Sequence, residues 1–259
     1  MQIIRQPDHP REGVRHTPRA ATSVHELDTD VGIDPHHHDD HQIAYAGSGV
    51  LSITTDAGTW VAPATRALWI PAGTVHAHRG FGRADLHSVG LPTRLNPLSL
   101  NAPAVIAVGP LLRELILAYT RAPQDDSPER RRLLGVLLDQ LRVSPLQPLH
   151  LPAPADPRLA AVCALLHADP ADPRGLAALA TASGAGAGER TLSRLFRAEL
   201  GMTFPQWRTQ LRLHRALRLL AEGTAVTAVA HRCGWSSASA FIDVFRRAFG
   251  QTPGAYGRP

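Results

Sequence analysis

The stretch Val226–Pro253, VTAVAHRCGWSSASAFIDVFRRAFGQTP, decides how the rest of the chain is read. Val226, Val229, Ala230 and Cys233 fall at i, i+3, i+4 and i+7, the stripe of one buried helix face. Gly234 follows, where a left-handed residue without a Cβ ends a helix at least cost. Ser236 or Ser237 can cap the next helix, and Phe241, Val244, Phe245, Ala248 and Phe249 make its buried stripe. Gly250 closes that helix and Pro253 blocks its resumption. Two helices joined through a glycine turn, with serine caps and Arg246-Arg247 outside, have the layout of a helix-turn-helix DNA reader. An ordinary helical hairpin would share the apolar spacing, so the question turns on whether the pattern recurs.

It recurs upstream, in LAALATASGAGAGERTLSRLFRAELGM (176–202). Leu176, Leu179 and Ala180 begin a helix, and a glycine-rich turn follows. Glu189–Leu200 then reads as an amphipathic helix burying Leu192, Leu195 and Phe196 and exposing Arg190, Thr191, Ser193, Arg194 and Arg197. Between the copies, Phe204–Glu222 reads as one long helix with Trp207, Leu211, Ala216, Leu219 and Leu220 inward. Its length at 1.5 Å per residue is roughly 28 Å. Successive major-groove faces lie roughly 34 Å apart, so one chain can serve two adjacent groove segments.

Charge agrees with this division. Residues 151–259 carry 13 Arg against 7 acids, whereas residues 1–150 carry 14 Arg against 15 acids, and the chain has no Lys. A basic C-terminal part behind a near-neutral one points to a polyanion partner for one domain only. Cys163 and Cys233 lie on predicted apolar helix faces without metal-type spacing, and read as buried thiols in a reducing cytoplasm. The N-terminus has no apolar signal-peptide core and no run reaches membrane-spanning length, so the expectation is a cytoplasmic protein without membrane contact.

From about Thr22 to Pro92 the pattern changes to short β-type runs broken by turns, Asp56-Ala57-Gly58 being a hairpin signal. Even spacing of many short strands predicts a small β-barrel or sandwich. Within it stand Pro35-His36-His37-His38-Asp39-Asp40-His41-Gln42, with Gly49 following, and Pro71-Ala72-Gly73-Thr74-Val75-His76. Strand alternation sends His36 and His38 to one face and His37 to the other. These two motifs resemble those of the cupin family, and the resemblance implies that His36, His38, Gln42 and His76 converge inside the barrel on a divalent metal. Imidazole and oxygen donors suit Ni, Zn, Fe or Mn. Gln42 stands where the family usually has Glu, which removes a negative charge. The same pocket could instead hold an organic effector. On the plainest reading the pocket pair is a polar relic, and His37, His41 and His78 are solvated loop imidazoles.

Two amphipathic helices follow, carrying Leu111, Leu112, Leu115 and Ile116, then Leu133, Leu134, Leu137, Leu138 and Leu141. Their stripes are core, with part available to a homodimer surface.

Residues 158–256 resemble the DNA-binding domain of AraC-type transcription regulators. The second copy carries Ala230, Gly234, Trp235, Ser237, Phe241, Phe245, Arg246, Arg247, Gly250, Pro253 and Tyr256; the connecting helix adds Gly201, Trp207, Arg212, Leu213, Ala216, Leu219 and Leu220. The first turn is about two residues longer than usual, and Gly188 replaces a common capping Ser. The resemblance implies base reading by the exposed N-terminal halves of both reading helices, with Arg190, Thr191, Ser193, Arg194 and Arg197 in the first and Ser237 and Ser239 in the second. Arg246 and Arg247 would hold phosphates. Together with the cupin half it implies a sequence-specific regulator that binds double-stranded DNA, senses a small ligand or metal ion, is not an enzyme, and meets RNA polymerase. The rival reading is a metal-dependent cupin enzyme of dioxygenase or isomerase type with a structural helical part; it lacks an obvious companion carboxylate.

The expected architecture is an α+β protein of two domains. Residues 1–20 form a loose tail, and residues 21–143 a small cupin-like β-barrel with following helices. Residues 144–157, with five prolines, form a linker. Residues 158–259 form an all-α domain with two helix-turn-helix motifs joined by a long helix.

Overall fold

The computed structural model describes residues 14–29, 31–147 and 150–256. The chain runs β1 (Arg15–Thr17), β2 (Ser23–Leu27), β3 (Gly32–His38), β4 (His41–Ala46), β5 (Val50–Thr55), β6 (Gly58–Pro63), β7 (Arg66–Ile70), β8 (His76–Phe81), β9 (Ala84–Leu91) and β10 (Ala104–Ala107). Helices α1 (Pro110–Arg121) and α2 (Pro128–Val143) and strands β11 (Leu146–Gln147) and β12 (His150–Pro152) follow. The rest is helical: α3 (Pro157–Ala168), α4 (Leu176–Ala182), α5 (Glu189–Leu200), α6 (Phe204–Ala221), α7 (Val226–Arg232), α8 (Ala238–Phe249) and α9 (Pro253–Tyr256).

The strands form two six-stranded sheets, ordered β1-β3-β8-β5-β6-β12 and β11-β10-β7-β4-β9-β2. Leu51, Ile53, Trp60 and Ala62 of the first meet Ala44, Ala46, Leu68 and Ile70 of the second in one apolar cluster. The expected barrel is thus a cupin-like double sheet. The β5–β6 hairpin turns at Asp56-Ala57-Gly58, as its residues predict.

Two expectations need correction. Residues 1–13 of the predicted tail lie outside the described residues, but Arg15–Thr17 pairs in parallel with His36–His38 as an edge strand. Residues 144–157 are not an unpaired linker. Leu146–Gln147 pairs with β10 and His150–Pro152 with β6, so the segment is stitched to the edge of each sheet. Proline is tolerated there because an edge strand has one row of unpaired N–H groups. As expected, α8 ends at Phe249 and is not resumed at Pro253. That proline opens the short α9, since its missing N–H costs nothing at the first helical position.

Sequence-local signals set the helix ends. The Ser127 side chain accepts from Arg130 N, and that of Asp156 from Arg158 N. Thr203 and Gln206 cap each other reciprocally at the start of α6. Gly201 and Gly250 close α5 and α8 at φ of 66° and 76°. Packing then joins the parts. The outer face of the second sheet buries Leu112, Ile116, Leu137 and Leu141 of α1 and α2, so most of the leucine stripe is core. The first sheet contributes to the cluster that holds Leu213, Leu217 and Leu220 of α6 and Phe241, Phe245 and Phe249 of α8. Leu151 of β12 enters the core of α3, α4 and α5, and Trp207 Nε1 donates to Pro152 O at 3.4 Å.

Gly82 sits where the two domains touch, with φ of 66° and with any Cβ overlapping the Ala221 carbonyl oxygen of α6. Gly82→Ala is therefore expected to cost about 2–4 kcal/mol, from left-handed strain plus the overlap. Gly73→Ala, at φ of 76° with open space around it, should cost only about 1–2 kcal/mol. Denaturant midpoints of the two variants compare them; equal losses would show that the Gly82 contact does not matter.

Candidate functional site

The first reading helix, α5, buries Leu192, Phe196 and Leu200 and leaves Leu195 half-buried. Arg190, Arg194 and Arg197 are exposed, with Thr191 and Ser193 half-buried beside them, and all five line one shallow concavity. None of these arginines has an ion-pair partner among the described residues. Gly188 precedes α5 without a side-chain cap, as its identity predicts. The surface therefore offers three free guanidinium forks at the helix's solvent side, the geometry that phosphate and base edges accept.

The second reading helix, α8, is anchored by Phe241, Phe245 and Phe249, with ring centroids 5.5 Å and 4.5 Å apart along the row. Ser237 is exposed, but its hydroxyl oxygen is engaged as the cap, accepting from Ala240 N at 3.1 Å. Ser239, Asp243, Arg246 and Arg247 are exposed, and Arg247 Nε donates to Asp243 O at 3.3 Å. Arg212 holds the two motifs together, a role that spacing alone does not reveal. Its Nε donates to Pro170 O at 2.9 Å, and its guanidinium lies 5.9 Å from the Trp235 ring centroid. Gly234, at φ of 75°, lets Ala171 and Arg212 approach where a Cβ would clash.

The second assembly lies inside the β domain. β3 and β8 run antiparallel with His36 opposite His76, and a register shift between Ile33 and His36 sets the pair. His36, His38 and His76 are buried, and their ligand-capable nitrogens all lie within 4.8 Å of one another. Each ring bonds a backbone carbonyl through Nδ1: His36 to Asp34 O at 2.8 Å, His38 to Asp40 O at 2.7 Å, His76 to Thr74 O at 2.8 Å. A carbonyl only accepts, so each Nδ1 carries the proton and each Nε2 keeps a lone pair. Metal-ligating imidazoles are oriented in this way.

Gln42 is brought beside this trio but is occupied. Its amide spans His38 Nε2, at 3.0 Å, and Ser88 Oγ. The amide oxygen faces His38 Nε2, and the amide N–H donates to Ser88 Oγ. His37 points away and stacks on His16 at 4.7 Å. His41 and His78 are not solvated loop imidazoles. His41 is buried, with Nδ1 accepting from Ala72 N at 3.0 Å. His78 is buried 5.0 Å from the His76 ring, and neither of its nitrogens has a hydrogen-bond partner among the described residues. The His-x-His of His76-Ala77-His78 was its available sequence signal, since both fall on the same face of a strand.

Burial lowers the His76 pKa to about 3, lowers that of His36, and lowers that of His78 well below 6.5. Neutral imidazole is the ligating form. His76 Nε2 is buried without a partner among the described residues, so a divalent ion of the Zn, Ni or Fe type fits the donor set. Three neutral donors without a carboxylate favour these over hard oxygen-seeking ions. Cys163 and Cys233 are buried free thiols, pushed up by burial to about 12 and about 11, and take no part.

Family models match both halves of the chain. Residues 21–182 match the AraC-like ligand binding domain, and residues 181–258 match a helix-turn-helix domain. The HTH-type transcriptional regulator NimR of Escherichia coli (strain K12) is 34% identical over 247 residues, 93% of this chain and 88% of NimR. The HTH-type transcriptional regulator RipA of Corynebacterium glutamicum is 35% identical over 105 residues, 40% of this chain and 31% of RipA. A solved structure of ToxT from Vibrio cholerae aligns with 92% of this chain and 98% of its own, at 11% identity and a TM-score of 0.40.

Folding favours the neutral forms of His36, His76 and His78, whereas the unfolded chain protonates them near 6.5. Between the folded and unfolded values the unfolded state binds more protons, so stability rises with pH there. The metal-free protein is expected to keep this contribution above pH 6.5 and lose it as pH falls toward about 3, the folded value of His76. Denaturant midpoints at about pH 7.5, 6 and 4.5 measure it, and a flat profile would contradict it.

Proposed function

The chain belongs to the AraC family, as a DNA-binding transcriptional regulator with an N-terminal ligand-binding domain, and on that premise we propose how its two assemblies divide the work. Recognition of base edges falls mainly to α5, through Arg190 and Arg194 with Thr191 and Ser193, and Arg197 completes its basic face. The observation that carries this is the contrast between the reading helices. α5 presents unpaired guanidinium forks, whereas α8 presents Ser239 and Asp243 on its exposed face and spends the oxygen of Ser237 on its own cap. Arg246 and Arg247, in the last turn of α8, serve phosphates, and the α8 motif chiefly docks and orients.

The histidine cavity is the sensing site. Three buried imidazoles oriented through Nδ1 by backbone carbonyls support a divalent metal there, with His36, His38 and His76 as ligands and the ion replacing the Gln42 contact at His38 Nε2. An ion so held would tie β3 to β8, and it could modulate DNA binding only through different affinities for the two arrangements of the protein. Regulation is favoured over catalysis because the grouped ligands include no carboxylate to serve as general acid or base. Among the described residues no helix is long and apolar enough to cross a membrane, which accords with work on DNA in the cytoplasm. Exposed Leu111, Val136 and Val143 on α1 and α2 support a homodimer, and RNA polymerase is the natural further partner at a promoter.

Selection of bound DNA from random fragments tests the division of labour. Arg194→Ala is expected to lose about 1–3 kcal/mol of discrimination at one base position. Arg247→Ala should weaken all sequences alike and lower the salt slope by about one phosphate contact. Equal loss of specificity from both would remove the distinction. For the cavity, zinc or nickel titration of the full chain should saturate at about one ion per chain, and His76→Ala should abolish it. Saturation unchanged in that variant would place the metal elsewhere.

A further inference from the structure

The outer face of β5, β6 and β8 is turned toward α6. Register pairs Ser52 with Arg79 and with Val61, and Thr54 with Thr59, so these side chains share that face. From α6, Leu211, His214, Arg215 and Arg218 come up to it at i, i+3, i+4 and i+7. A cleft of about 770 Å³ lies between, a volume within the range of small-molecule sites.

Its charge is one-sided. Arg79 enters from the β domain, Arg215 and Arg218 from α6, and Arg232 from the end of α7, with Asp169 the single acid. Asp169 is already engaged, its Oδ1 accepting from Ala171 N at 2.9 Å. None of Arg79, Arg215 and Arg232 has an ion-pair partner among the described residues. The Arg218 guanidinium lies 4.0 Å from the Phe81 ring centroid, which fixes its plane. Cations gathered against low-dielectric walls repel one another and focus a positive field into the cleft. Val61, Phe81, Leu151 and Leu211 supply those walls, and the Ser52 and Thr54 hydroxyls the polar rim.

We propose that this interdomain cleft binds a small organic anion, a carboxylate or phosphate monoester on a partly apolar body, which joins the β domain to α6. Arginine forks from both sides take the acid group, and the apolar walls take the body. Because α6 connects the two DNA-reading motifs, an anion that prefers one seating of the β domain on α6 shifts the DNA-competent population. The site is separate from the histidine cluster, because His76 and His78 leave β8 on the face opposite Arg79 and Phe81, and it does not depend on that cluster holding a metal.

Calorimetric titration of the full chain with benzoate and with phenyl phosphate, against neutral benzyl alcohol, tests this. At least one anion is expected to bind, with the alcohol at least about tenfold weaker, and the better anion identifies the acid group. Arg79→Gln and Arg215→Gln should each weaken the anion about tenfold while leaving thermal unfolding and metal titration unchanged. The anion should also change DNA affinity in the unaltered chain and not in the double variant. The proposal is overturned if neither anion binds at millimolar concentration. Binding that ignores both substitutions but disappears in His38→Ala would also overturn it, by placing the anion in the histidine cavity. So would arginine variants that weaken DNA equally with and without anion, because those side chains would then be phosphate contacts.

Discussion

The helix Phe204–Ala221 places apolar side chains in two separate cores, one from each of its halves. Trp207 and Leu211 complete the core of the first helix-turn-helix motif, with Phe196 packed edge-on to Trp207 at 5.8 Å. Leu213, Leu217 and Leu220 enter the cluster shared with the first sheet and with Phe241 and Phe245 of the second motif. A helix that buries apolar side chains in two cores is stable only when both are in place, so the DNA-reading units and the β domain all depend on one element. Leu→Ala changes at such buried sites typically cost about 2–5 kcal/mol. The same dependence makes α6 the natural route by which the β domain could influence DNA binding.

The two chemical assemblies are built on opposite electrostatic terms. On the DNA side, guanidinium groups stand in solvent, where remaining charged costs little and phosphate contact releases counterions. In the histidine cavity burial removes charge, and neutral rings with directed lone pairs remain. Backbone carbonyls select the tautomer in each ring, so the direction of the lone pairs is a property of the strands and loops carrying Asp34, Asp40 and Thr74.

The two helix-turn-helix copies, alike in apolar spacing, differ in what they expose. α8 uses Phe241, Phe245 and Phe249 for anchoring and shows small side chains with one acid in its first turns, its arginines coming only in the last; α5 shows arginines from its first turn onward. A well-formed hydrophobic stripe reports how firmly a helix is seated, and its outer face reports what it can recognise.

Much of the helical domain was legible in the chain itself. Glycines 201, 234 and 250 adopt the left-handed conformation their positions imply, Ser237 and Thr203 cap, and the 3.6-residue stripes are buried. Those signals act within one or two turns, so a short window contains them. The His36-x-His38 pair was legible for the same reason, through strand alternation. What the tertiary structure alone decided is long-range. The proline-rich segment becomes edge strands because His150 meets Ala57, 93 positions away, at 3.0 Å. His78 is buried rather than solvated, Gln42 is held by Ser88, and Arg79 faces Arg215 across a cleft, all through partners distant in sequence. Local propensity and periodicity choose the elements; which side chains then share a buried space depends on how those elements pack.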